Sequence, residues 1–119
     1  TLNVLEWPAR GNDQAKELNG ISWPDRDLAP FYDRNNDGKY DPYAGDFPIL
    51  ESSCAAKIPS EMTWSLYHSS SGDLEIQTLM YGFVSDYIPL LNNTIFTRIK
   101  VFNHFLFLKF YFMDFTSCF

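Results

Sequence analysis

Pro8, Gly11, Gly20, Pro24, Pro30, Gly38, Pro42, Gly45 and Pro48 punctuate residues 1–50 at short intervals. No stretch between them keeps a helical apolar period for the roughly ten residues that a helix assignment needs. Aromatic side chains recur through the same half: Trp7, Trp23, Phe31, Tyr32, Tyr40, Tyr43 and Phe47. This half therefore reads as an irregular, loop-rich segment that its rings pin to a core. A bound ion is expected to offset the conformational entropy lost in ordering so many loops.

Residues 61–103 have a different period. Glu61–His68 mixes β-branched and aromatic residues and runs into the turn cluster Ser69-Ser70-Ser71-Gly72-Asp73. The stretch 74–83 follows, with Leu74, Ile76 and Thr78 on one face, which gives a strand–turn–strand pattern. After Pro89 and the turn-like Asn92-Asn93 comes Thr94–Asn103, where Arg98, Ile99, Lys100 and Val101 alternate polar and apolar. Period two is the signature of a strand, and it is clearest here. The expected fold is mainly β: an antiparallel sheet or partial β-sandwich with a long loop-rich N-terminal half. Residues 1–50 and 51–103 are expected to form one domain. Residues 104–119, rich in Phe and Leu, form an apolar tail of different character.

The 119-residue length suits one domain, and 45% apolar residues allow a core. The net charge is −6, which argues against nucleic acid, whose binders cluster Lys and Arg on one face. An anionic membrane surface is disfavoured for the same reason. Residues 1–50 hold 9 Asp/Glu against 5 Lys/Arg, and the remainder holds 6 against 4, so carboxylates gather in the first half. No run approaches the ~18 apolar residues of a membrane-spanning helix. The two cysteines, Cys54 and Cys118, allow at most one internal disulfide and match no zinc spacing. The chain starts at Thr1 with no basic or apolar leader, and reads as a fragment or mature segment.

The strongest local signal is Asp33-Arg34-Asn35-Asn36-Asp37-Gly38-Lys39-Tyr40-Asp41. Asp33, Asn35 and Asp37 stand at positions 1, 3 and 5 of a loop, with Gly38 at 6. Alternate oxygen-bearing side chains on a tight turn converge on one centre, and glycine supplies the positive φ that the turn demands. Lys39 at position 7 offers its backbone carbonyl, so its side-chain charge is immaterial. Hard oxygen ligands select Ca²⁺ over zinc or copper. The loop departs from an EF-hand: position 12 is Ala44 rather than glutamate, and Pro42 opposes an exiting helix. Asp41 and Asp46 are the remaining carboxylates placed to close the shell. The expected metal set is thus Asp33, Asn35, Asp37, Lys39, Asp41 and Asp46, and the expected cofactor is Ca²⁺.

Other candidates carry less. His68 and His104, the only histidines, read as ordinary strand or loop residues. Asp25 and Asp27 flank Arg26 and offer a carboxylate pair, though a solvated turn or neighbours of the Asp33 loop fit them better. Ser69–Ser71 lack a nucleophile elbow and read as a turn. Asn92-Asn93-Thr94 matches a glycosylation sequon, a short pattern of little weight. No catalytic motif stands out.

Three blocks in order point further: Trp7-Pro8-Ala9-Arg10-Gly11-Asn12; the stretch 27–42 from Asp27-Leu28-Ala29-Pro30-Phe31 through the loop; and Gly45-Asp46-Phe47-Pro48-Ile49. Met62-Thr63-Trp64, Leu74-Glu75-Ile76-Gln77 and the stretch 96–103 follow. Together they resemble an ectodomain family of large secreted or surface proteins of Bacteroidetes, many of them type IX secretion substrates. The resemblance covers about residues 5–103. It implies a cell-surface or extracellular setting and a calcium-dependent β-rich module, with no established reaction. This chain is short between Trp64 and Leu74, and the likeness stops after Asn103. The tail that follows is expected either as a buried strand or as a non-native, frameshifted end that promotes self-association. The functional expectation is a structural or binding module that meets a protein or glycan at the cell surface. The rival expectation is a secreted hydrolase or carbohydrate-active domain, using Trp7, Trp23 and Trp64 as platforms and Asp25 or Asp27 as acid–base groups.

Overall fold

The computed structural model describes residues 2–50, 58–104 and the backbone of 112–114. The chain is mainly β, with two antiparallel sheets, and divides into two compact units, Thr1–Ile58 and Pro59–Phe119.

The first unit contains two short helices, α1 (Leu2–Leu5) and α2 (Gln14–Asn19), and a two-stranded sheet of β1 (Phe31–Tyr32) and β2 (Phe47–Pro48). Neither helix is long enough to show an apolar period, which is why turn spacing alone does not reveal them. Asn12 starts α2: its Oδ1 accepts the Gln14 N–H at 2.9 Å, a role that the N-cap residue Asp13 leaves unfilled. The Asn12 amide also donates to the carbonyls of Leu5 (2.9 Å) and Trp7 (2.8 Å), so this fully buried side chain is satisfied at both ends. Backbone bonds radiate from the same stretch: Tyr40 N–H to Arg10 O, Gly11 N–H to Pro24 O, and Ala29 N–H to Pro8 O. Trp7, Ala9, Leu28, Ala29, Tyr40, Ile49 and Leu50 are buried around it. The Trp7 indole donates to Pro30 O at 2.9 Å. Trp7 and Tyr40 thus pin the loops to a core, whereas Tyr32 and Tyr43 are exposed.

The second unit is a four-stranded antiparallel sheet in the order β3-β4-β5-β6. Its strands are β3 (Glu61–His68), β4 (Leu74–Gly82), β5 (Phe96–Asn103) and β6 (Phe112–Asp114), with a one-turn helix α3 (Pro89–Asn92) before β5. The three long strands fall where the period-two pattern places them. The Ser69–Asp73 turn sets the register His68↔Glu75 through Glu61↔Gly82 without a break. β6 arises within the apolar tail and pairs Phe112 with Phe102 and Asp114 with Lys100. Leu74, Ile76 and Thr78 do share a face, but the opposite face of β4 is the buried one: Glu75, Gln77, Leu79 and Tyr81. Tyr81 stacks on Phe96 at 5.4 Å between ring centroids, and Phe83 meets both rings edge-on. Cys54 and Cys118 lie outside the described residues.

Candidate metal centre

The Asp33–Asp46 segment is the connection of a miniature hairpin. β1 delivers Tyr32 opposite Phe47 of β2, and these rings stack at 5.1 Å. Asp33 leaves β1 and Asp46 enters β2, so the two carboxylates stand at the neck of the loop. Asp46 is 3% exposed and buckles the loop: Oδ1 accepts the Arg34 N–H and Oδ2 the Asp41 N–H, both at 2.9 Å. Asp41 caps the short 3₁₀ turn Pro42–Ala44 by accepting the Tyr43 N–H at 2.9 Å. Gly45 ends that turn at φ 102°, where a Cβ would lie 2.7 Å from Arg34 Cδ. Only glycine fits there.

The remaining candidates form a ladder of side-chain-to-backbone bonds. Asp33 Oδ2 accepts the Gly38 N–H (2.8 Å), Asn35 Oδ1 the Asp37 N–H (3.2 Å), and Asp37 Oδ1 the Lys39 N–H (2.8 Å). Asn36 and Gly38 take positive φ, 58° and 80°, so the chain winds tightly enough to repeat the motif. The Asn35 amide donates to Asp37 Oδ2 at 2.9 Å. Lys39 belongs to the ladder through its backbone, and its side chain is exposed.

Asp33 differs from the others. Its Oδ1 is buried, and no donor among the described residues reaches it. A carboxylate oxygen withdrawn from water without a partner is costly. Asp33 and Gly38 also line a cavity of about 230 Å³ together with Arg10, Asp27 and Phe31. Asp27 is therefore a neighbour of the loop, whereas Asp25 is exposed and faces the Arg10 guanidinium at 3.6 Å. Among the described residues, no three carboxylate, imidazole or thiol groups gather closely enough to hold a metal. The structure brings the loop oxygens into two sets, Asp33-Asn35-Asp37 and Asp41-Asp46, joined through the backbone.

Electrostatics tie the core to the loop. Burial, and after it the Asp46 carboxylate, raise the Tyr40 phenol well above its ordinary pKa. That hydroxyl donates to Val4 O at 2.6 Å and so links α1 to the loop.

The second unit holds a cluster that the one-dimensional pattern hides. Glu75, 3% exposed, accepts from the Gln77 amide at 2.8 Å, with His68 Nε2 at 3.1 Å and His104 Nε2 at 3.6 Å from its Oε2. Both histidines thus meet one buried carboxylate. The available signal was register: a five-residue turn after His68 places Glu75 opposite it. Of the tryptophans proposed as platforms, Trp7 is buried and Trp23 and Trp64 are half-buried. In comparisons with known proteins, the chain matches no family model, no curated sequence and no solved structure.

Proposed function

We propose that this chain is a calcium-stabilised, β-rich structural or binding module of a bacterial secreted or cell-surface protein. The resemblance of residues 5–103 to Bacteroidetes ectodomains supports that setting, and the partner proposed there is a protein or glycan. The observation that carries the calcium reading is Asp33 Oδ1, buried and unpartnered among the described residues, at the first position of a loop whose sequence sets oxygen-bearing side chains at every second residue. Ca²⁺ binds Asp33 first, and draws on Asn35, Asp37, the Lys39 carbonyl, Asp41 and Asp46 as the remaining donors. For Asp37 this means exchanging the Asn35 amide for the ion, a trade that favours the ion because several carboxylates in one loop repel each other. The role of the ion is structural: it cross-links a segment without long helices or strands. Affinity belongs to the extracellular range, with Kd on the order of 10⁻⁴–10⁻³ M.

Hydrogen exchange with and without millimolar Ca²⁺ tests this reading. The expected result is slower exchange across 33–46 when calcium is present, with β3–β5 unchanged, and loss of that protection in Asp37→Ala. Equal exchange in EDTA and calcium would remove the proposal.

A further inference from the structure

We propose that the connection between β4 and β5, residues 83–95, is a lipid-contacting loop whose tip enters the surface of a zwitterionic bilayer. The connection leaves and returns at one end of the sheet, where Tyr81 of β4 pairs with Phe96 of β5. Its tip inverts the usual composition of a surface turn. Tyr87 is 94% exposed, Leu90 76% and Ile88 53%, and Val84 and Ile95 are exposed before and after them. Single apolar residues on a surface need no explanation, but a run of them at one tip does.

The polar side chains of the loop are spent on its own backbone. Ser85 N–H donates to Asn92 Oδ1 at 2.7 Å, and the Asn92 amide donates back to Ser85 O at 3.0 Å, which ties the two limbs together. The Ser85 hydroxyl oxygen accepts the N–H groups of Tyr87 (3.3 Å) and Ile88 (3.0 Å). The Thr94 hydroxyl donates to Leu90 O at 2.7 Å. The N–H groups of Leu91, Asn93 and Thr94 reach the carbonyls of Ile88, Leu90 and Leu91.

This accounting selects lipid over a protein groove. A protein partner can complete the hydrogen bonds of an incoming loop, but hydrocarbon cannot, so a segment that enters lipid must satisfy its backbone internally. At the tip, the Tyr87 and Ile88 donors are satisfied from within the loop, and Pro89 has no N–H. Charge then selects the kind of lipid. Asp86 is the one charged residue between Gly82 and Arg98, and the chain carries a net charge of −6. Anionic headgroups repel such a chain, whereas zwitterionic ones admit it. The Tyr87 ring suits the headgroup level, where tyrosine is enriched.

Co-sedimentation of the full chain with phosphatidylcholine vesicles tests this, with far-UV circular dichroism as the check on folding. The wild type is expected to bind, and to bind more weakly when phosphatidylglycerol replaces about a third of the lipid. Y87D/L90D puts carboxylates on two largely exposed positions of the tip and should weaken binding at least about tenfold. Y43D, at a 75% exposed tyrosine of the first unit, should stay within about twofold of wild type. A wild type that ignores phosphatidylcholine, tighter binding to the anionic vesicles, a Y87D/L90D variant that binds as tightly as wild type, or an equal loss in Y43D would overturn the proposal. Self-association lost in Y87D/L90D, without vesicle binding, would assign the tip to a protein contact instead.

Discussion

Asp46 shows how much one side chain settles in a loop of this kind. Its two oxygens hold the backbone N–H groups of Arg34 and Asp41 from a position almost closed to water. Asp46→Ala strands both donors, and the expected cost is about 2–4 kcal/mol, read from urea unfolding at pH 7. A loss under about 0.5 kcal/mol would mean that water replaces the carboxylate. Tyr40 gives a pH signature. Its folded pKa is raised, so the unfolded chain ionises first, and stability is full below the ordinary value of 10.0 and falls as pH climbs toward the raised value. Tyr40→Phe should blunt that alkaline fall, and at neutral pH should cost about 1 kcal/mol for the lost bond to Val4 O. Unfolding curves at pH 7 and above pH 10 check both parts. The spacing of Asp33, Asn35, Asp37 and Gly38 is local and therefore readable in one dimension. The buckle made by Asp46 and the burial of Tyr40 depend on contacts across the hairpin, which spacing cannot report.

Among the elements, β3, β4 and β5 were legible because each is long, alternates at period two and is bounded by turn residues. The face that each buries was not legible. Glu75 and Gln77 look like the solvent side of β4, and Leu74 and Ile76 look like its core side, yet Glu75 and Gln77 are the more buried. The reversal has a physical basis: Gln77 and His68 lie at hydrogen-bond distance from Glu75, so its carboxylate leaves water with partners in place. The faces can be told apart by mutation. Leu79→Ala, at 2% exposure, should cost about 2–4 kcal/mol, whereas Ile76→Thr on the opposite face should cost less than about 1 kcal/mol. Comparable losses at both sites would show that the second unit buries both faces equally. The short elements α1, α2, β1 and β2 were hidden because two to six residues carry no measurable period.

For the whole molecule, the central claim is that calcium orders one unit and leaves the other to its own sheet. The carboxylate bias of residues 1–50 and the turn density there are what raise the expectation of an ion in that half. The division at Ile58 separates that half from the three long strands, which cross-strand pairs hold together. Calcium should therefore raise the melting temperature only of the transition that includes Thr1–Ile58. The most direct measurement is a calorimetric Ca²⁺ titration of the full chain, paired with thermal melts in EDTA and in millimolar Ca²⁺. The account predicts binding of about one ion per chain, a melting point raised by calcium, and loss of both in Asp37→Ala. No heat of binding and superimposable melts would contradict it, and would reduce Asp33–Asp46 to a loop closed by hydrogen bonds alone.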